Sequence, residues 1–150
     1  MPLGQAEATR LLNDYHDQLD RAQKEGPLRY RAAFEESPPG VGVHEIDAAM
    51  RITRVNAEEL EILGYRKEEM LGRVVWEIIV MQEAARRAIE QKLKGERELK
   101  PFVRGFRRAD GSAVALLLVD RHLRDVRGEI VGIRTAMTEV RTEGGPPATP

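Results

Sequence analysis

The chain contains no cysteine. That excludes disulfides, thiolate nucleophiles, zinc–cysteine sites and cysteinyl chromophore adducts, and it fits a reducing compartment. Aromatic residues are scarce, with one Trp, three Tyr and three Phe, so the core has to be aliphatic. Neither charge sign dominates. A formal net charge of −1 gives no global electrostatic case for nucleic acid or membrane binding. No apolar run approaches the roughly 18 residues needed to cross a bilayer. The N-terminal "MPLGQAEATR" lacks the apolar stretch of a signal peptide. These absences lead to an expectation of a soluble, cytoplasmic protein.

What is present suffices for one domain with a real core: 150 residues, 41% of them apolar, and no internal repeat. Charge is unevenly spread. Arg86 to Arg141 holds 14 basic and 8 acidic residues, whereas Met1 to Ala85 holds 10 basic and 16 acidic. A basic surface could meet an acidic partner or nucleic acid, but no aromatic residues interleave the basic ones. The two halves are expected to neutralise each other within one fold.

In "EATRLLNDYHDQLDRAQKEG", Ala8, Leu12, Tyr15, Leu19 and Ala22 recur at spacings of 4, 3, 4 and 3. That is one apolar stripe on a helix, stopped by Gly26-Pro27. It either packs on its own domain or pairs with a second copy. A short helix in "LRYRAAFEES" ends at Pro38-Pro39-Gly40. The period then changes, and "VGVHEI" and "MRITRV" read as a hairpin. Asn56 can cap the next helix, with Glu59 three residues on placed to reach back, and Gly64 closes it. Gly72 ends a further turn. "QEAARRAIEQKLKG" carries Ala85, Ile89 and Leu93 on a helical stripe. Three antiparallel strands follow: "PFVRGFRR", "SAVALLLVDRHL" and "EIVGIRTAMTEV", the first two joined at "ADG". The class is α+β, an antiparallel sheet with helices on one face. The tail "TEGGPPATP" reads as a disordered end or linker.

"GVGVHEIDAAMRITRVNAEELEILGYRKEEMLG", then "FRRADGS" and "RDVRGEIVGI", resembles a PAS domain, the small sensory module of signalling proteins. The resemblance rests on Asn56 opening a helix, on Leu63-Gly64-Tyr65 and Gly72, and on Asp110-Gly111, Gly128 and Gly132. It implies a five-stranded sheet in the order 2-1-5-4-3 with small helices cupping one face. Three departures stand out. Arg66 follows the Gly-Tyr where the family often has Ser or Thr. "VMQE" replaces a His-Pro-x-Asp-like segment, and Thr138-Glu139-Val140 replaces the terminal Asp-Ile-Thr that helps couple the core to an output helix. This makes residues 1–26, the N-terminal helix, the candidate coupling element, with 28–141 as the PAS domain and 142–150 as the tail.

PAS ligands bind between sheet and helices. By resemblance and alternation, Val114, Leu116 and Leu118 face that space, and Trp76, Ile79, Ile89 and Phe106 approach it. The same residues also suit a filled, ligand-free core. Cysteinyl-flavin chemistry is excluded. Haem is argued against, because residues 74–95 hold no His, and His16, His44 and His122 lie elsewhere. Non-covalent FAD stays open through Trp76. If the "DVRG" hairpin closes around Arg127, Asp120 and Arg134 fall opposite each other. They then form either a cross-strand ion pair or an anchor for a small anionic ligand on Arg134.

In "AVALLLV" both alternating faces are apolar, so both faces of the sheet need cover. The small helices can cover one. The N-terminal stripe, or a second copy, must cover the other. The expectation is a homodimer with Leu12, Tyr15, Leu19, Ala115, Leu117 and Val119 at its interface. The function expected is a regulatory sensor or dimerisation module working with a signalling partner protein, without catalysis or direct nucleic-acid contact. The alternatives are a ligand-free interaction domain and a small isomerase- or hydratase-like enzyme using Asp120 and His122.

Overall fold

Residues 2–141 are described by the computed structural model, and the changes of hydrophobic period mark its elements. Two helices come first, α1 (Gln5–Glu25) and α2 (Pro27–Glu35). The hairpin β1 (Gly42–Asp47) and β2 (Ile52–Val55) follows, then the short α3 (Ala57–Leu63) and α4 (Lys67–Met70). A 3-10 turn at Val75–Ile78 leads into α5 (Gln82–Leu93). The chain closes with β3 (Phe102–Arg107), β4 (Ala113–Arg124) and β5 (Ile130–Glu139). The sheet is antiparallel in the order β2-β1-β5-β4-β3, as the resemblance implied. The tail at 142–150, expected to be a linker, lies outside the described residues.

Each face of the sheet carries its own apolar cluster. On the inner face Ile46, Phe106, Leu116, Leu118, Ile133 and Met137 meet Leu63, Met70, Ile78 and Ile89 from the helices and the turn. On the outer face Val43, Leu117, Val119 and Ala136 meet Leu12, Tyr15 and Leu19 of α1 and Phe34 of α2. Both sides of β4 are thus dry, as its two apolar faces demanded. Its cover on the outer side is the chain's own α1. Leu12, Tyr15, Leu19, Leu117 and Val119 are the side chains expected at an interface between two copies. Within a single chain these side chains are already buried, and Ala115 is half-buried. Burying each large apolar side chain contributes about 1.5–3 kcal/mol at most, so α1 is firmly held.

The β4–β5 hairpin departs from the expected register. Arg124 pairs with Ile130, which centres the turn on Arg127 as expected. The register then shifts, because Leu123 pairs with Gly132 and Val131 becomes the extra residue of a bulge. One residue of slip turns every later side chain to the other face. Asp120 lies opposite Thr135, and Arg134 lies opposite Arg121. Arg134 belongs to the outer face, beneath α1. The Asp120–Arg134 pair does not form.

Asn56 ties the two layers together. Its Oδ1 accepts from the backbone N–H of Glu59, capping α3, and from that of Val43. Its Nδ2 donates to the Phe34 carbonyl and to Ser37. Glu59 does not reach back to close the capping box. Its carboxylate turns into the core instead, to His44. Gly42 and Gly132 mark close backbone approaches. A Cβ on Gly132 would lie 2.1 Å from the Ile46 carbonyl oxygen, and one on Gly42 would lie 2.9 Å from Glu59 Cα.

Candidate functional site

A polar row crosses the apolar inner face of the sheet. His44 on β1, Thr135 on β5 and Asp120 on β4 are direct cross-strand neighbours. Strand alternation places them on the side of Leu118 and Ile133. Each is buried, and each has a partner. Nδ1 of His44 donates to the Glu59 carboxylate at 2.8 Å. Thr135 Oγ1 donates to Asp120 at 2.6 Å, and Lys92 Nζ donates to the other Asp120 oxygen at 2.8 Å. Lys92 reaches in from α5, one turn after Ile89, and its ammonium sits 3.8 Å from the centroid of the Phe102 ring. His122, one step along β4, donates from Nε2 to the Lys92 carbonyl at 2.8 Å.

Arg104 on β3 completes the cluster. It occupies the inward position between Phe102 and Phe106 and is only 4% exposed. Its guanidinium carbon lies 4.6 Å from the Phe102 ring centroid. Among the described residues no acceptor reaches its Nε or Nη2. Burial pulls its pKa down to about 10, with Asp120 opposing the shift. Burial also lowers Lys92, and Asp120 offsets only part of that. For Asp120 itself burial alone would raise the pKa, but Lys92 and Thr135 outweigh it and hold the carboxylate below its usual range. Burial likewise works against charge on His44, yet the Glu59 carboxylate prevails and raises it.

The row faces a small internal cavity of about 10 Å3, lined by His44, Arg104, Asp120 and Thr135 beside Ile89 and Phe106. That is room for about one water. A flavin ring system does not fit this core as packed. Outside it, between α5 and β3, an open cleft of about 340 Å3 has Lys92, Arg104 and Phe102 in its wall. Arg104 lines both spaces.

Of the residues named from sequence, Ile89, Phe106, Leu118 and Asp120 line the cavity. Ile79 and Leu116 are buried in the surrounding core, and Trp76 packs half-buried at its edge. Arg134 is absent from the site because the bulge sends it outward. There its Nε donates to His16 Nδ1, and its Nη2 donates to Asp20 at 2.6 Å. Arg104 and Lys92 were not singled out from sequence, although both carried a signal. Arg104 alternates with two phenylalanines, and Lys92 follows Ala85 and Ile89 along the buried side of α5. A charge at a core position of either period is a site candidate.

His16 has both ring nitrogens hydrogen-bonded, whereas His44 is held through Nδ1 and His122 through Nε2. Among the described residues no group of three or more His, Asp or Glu could hold a metal ion.

The PAS fold family model matches residues 34–143. The chain belongs to the PAS fold family. No curated protein matches it. Among solved structures, the PAS domain of an HTR-like protein from Haloarcula marismortui is 26% identical, with a TM-score of 0.62 over 83% of this chain and 99% of that one. A PAS domain from Colwellia psychrerythraea is 16% identical, with a TM-score of 0.64 over 75% and 96%. The light-state LOV domain of the blue-light photoreceptor Aureochrome1 is 22% identical, with a TM-score of 0.57 over 67% and 81%. The last two likenesses bear on the fold alone. Membership makes this PAS domain a sensory or regulatory module. Among the described residues no helix is long and apolar enough to cross a membrane.

Proposed function

We propose that this PAS domain is a regulatory sensor, taking a small molecule at the inner face of its sheet and passing the change to a partner protein. The observation that carries the reading is the buried polar cluster of His44, Glu59, Lys92, Arg104, Asp120 and Thr135 in an otherwise aliphatic core. A core built for packing alone gains nothing from these groups, because apolar residues of similar volume would serve as well or better. Catalysis is not part of the reading. Asp120 is tied to Lys92 and Thr135 and held in its charged form, and His122 Nε2 is engaged with a backbone carbonyl. A general base needs a pKa near the working pH and reach to a substrate proton, and Asp120 lacks the first.

The 10 Å3 cavity favours a second reading, a ligand-free interaction domain whose core is simply full. Native mass spectrometry and an absorbance scan of the purified chain separate the two. The sensor reading expects a bound small molecule, or thermal stabilisation by one member of a metabolite panel. A chain at its bare mass that responds to nothing would favour the interaction domain.

A further inference from the structure

Among the described residues Arg104 is a buried cation without a counter-ion of its own. Asp120, the nearest carboxylate the cluster offers, is bonded to Lys92 through one oxygen and to Thr135 through the other. The second carboxylate, Glu59, is engaged by His44. Lys92, Arg104 and Asp120 therefore leave one positive charge in excess around Phe102. A water in the inner cavity can accept from both Nε–H and Nη2–H but brings no charge. An uncompensated buried charge costs several kcal/mol unless an anion reaches it.

The way in is the cleft between α5 and β3. Its rim adds Arg97 and Lys100, with Glu98 as the one opposing charge. Arg97 donates to Gln91, and Lys100 stands 3.7 Å from Glu98, so the rim is basic though partly engaged. The rest of the wall, Ala88, Pro101 and the Phe102 ring, is apolar or aromatic.

We infer that this cleft receives a small organic acid, its carboxylate turned inward onto Arg104 and Lys92. This rests on the sensor reading and assigns it a ligand class and an entrance. The planar guanidinium fork matches the two oxygens of a carboxylate. The apolar wall takes the carbon body of the acid, and Arg97 and Lys100 stand where a second anionic group would emerge.

The test uses the full chain at constant ionic strength. Succinate and benzoate are compared with succinamide, benzamide and inorganic phosphate, by calorimetric titration and by the arginine side-chain N–H signals in nitrogen-15 NMR. At least one acid should bind and shift the Arg104 Nε–H signal, with its amide inert. Arg104→Met should weaken binding about 10–100-fold, the value of a charge-assisted hydrogen-bond pair. It should melt no lower than the parent, because an unpaired charge is removed. Should Arg104→Met fail to fold, Arg104→Lys, which keeps the charge and loses the fork, and Arg97→Gln at the rim stand in, with weaker losses in that order. Amides or phosphate binding as well as the acids would overturn the inference, as would an Arg104→Met variant that binds normally. A neutral molecule co-purifying with a chain that ignores every acid would overturn the anion assignment and leave the sensing role standing. A chain without any ligand would overturn both.

Discussion

His16 offers the sharpest test of how α1 is held. It is wholly buried between α1 and the outer face of the sheet. Its Nδ1 accepts from Arg134 Nε at 3.1 Å, which leaves Nε2 as the protonated nitrogen, donating to the Val119 carbonyl at 2.8 Å. The imidazole is thus neutral, its tautomer set by its two partners. A second proton would have to sit on Nδ1, facing a guanidinium. Burial and Arg134, with a smaller push from Arg121, lower the pKa from 6.5 to about 4, while Asp120 and the Val119 carbonyl oppose them. The sign follows. Folded His16 binds its proton less readily than unfolded His16, so its contribution is whole above pH 6.5 and is withdrawn as pH falls towards 4. Between pH 7 and 4.5 that amounts to about 2–3 kcal/mol, or roughly 5–10 °C in melting temperature for a chain of this size. Asp20 and Asp120 do not blur the window. Both are held below their ordinary 3.8, so they withdraw stability only at lower pH. His16→Gln keeps a neutral donor and acceptor without the titration. Urea unfolding of parent and variant at several pH values should give curves that diverge below pH 6.5, the parent losing the extra 2–3 kcal/mol. Parallel curves down to pH 4.5 would refute the assigned tautomer and the lowered pKa together.

His44 should behave with the opposite sign: its folded pKa is raised, so its contribution is whole below 6.5 and fades as pH rises past the folded value. His44→Gln should flatten the alkaline limb of melting temperature against pH. Asp120→Ala leaves Lys92 without its partner and should cost about 3–5 kcal/mol in urea unfolding, whereas the double variant Lys92→Met with Asp120→Leu should recover most of it. Asn56→Ala removes a helix cap and three other bonds at once, an expected loss of about 2–4 kcal/mol. Gly132→Ala, which drives a methyl into the Ile46 carbonyl, should unfold the chain or part β1 from β5, visible as lost amide protection in both strands.

The fold was legible because its strongest signals are local and periodic. The 4-3-4-3 stripe of α1, the β-branched runs of β1 and β2, and the two apolar faces of β4 each report burial directly. Even the need for cover over Leu117 and Val119 could be read from alternation. What alternation could not say was whose helix supplies it, since an apolar stripe fits its own sheet and a neighbour's equally well. Glu59 shows the limit of local rules from another side. Its spacing from Asn56 suits a capping box, but a buried histidine is a better partner for a carboxylate than a single backbone N–H, and tertiary structure took it.

The site turned on a feature one residue long. The hairpin does centre on Arg127, and pairing continued from that turn would place Arg134 beside Asp120. The bulge at Val131 intervenes, and the two arginines exchange roles. Arg134 moves to the outer face, opposite Arg121, where two like charges would repel. Asp20 of α1 bridges them at 2.6 and 2.8 Å, so the helix is fastened by charge as well as by its apolar stripe. On the inner face Thr135 takes the vacated position and donates to Asp120, so the bulge keeps a third cation out of the core. The positive charge that remains there comes from Lys92 and Arg104, which have the single carboxylate of Asp120 between them. The same inserted residue thus fastens α1 from one side of the strand and limits the charge buried on the other.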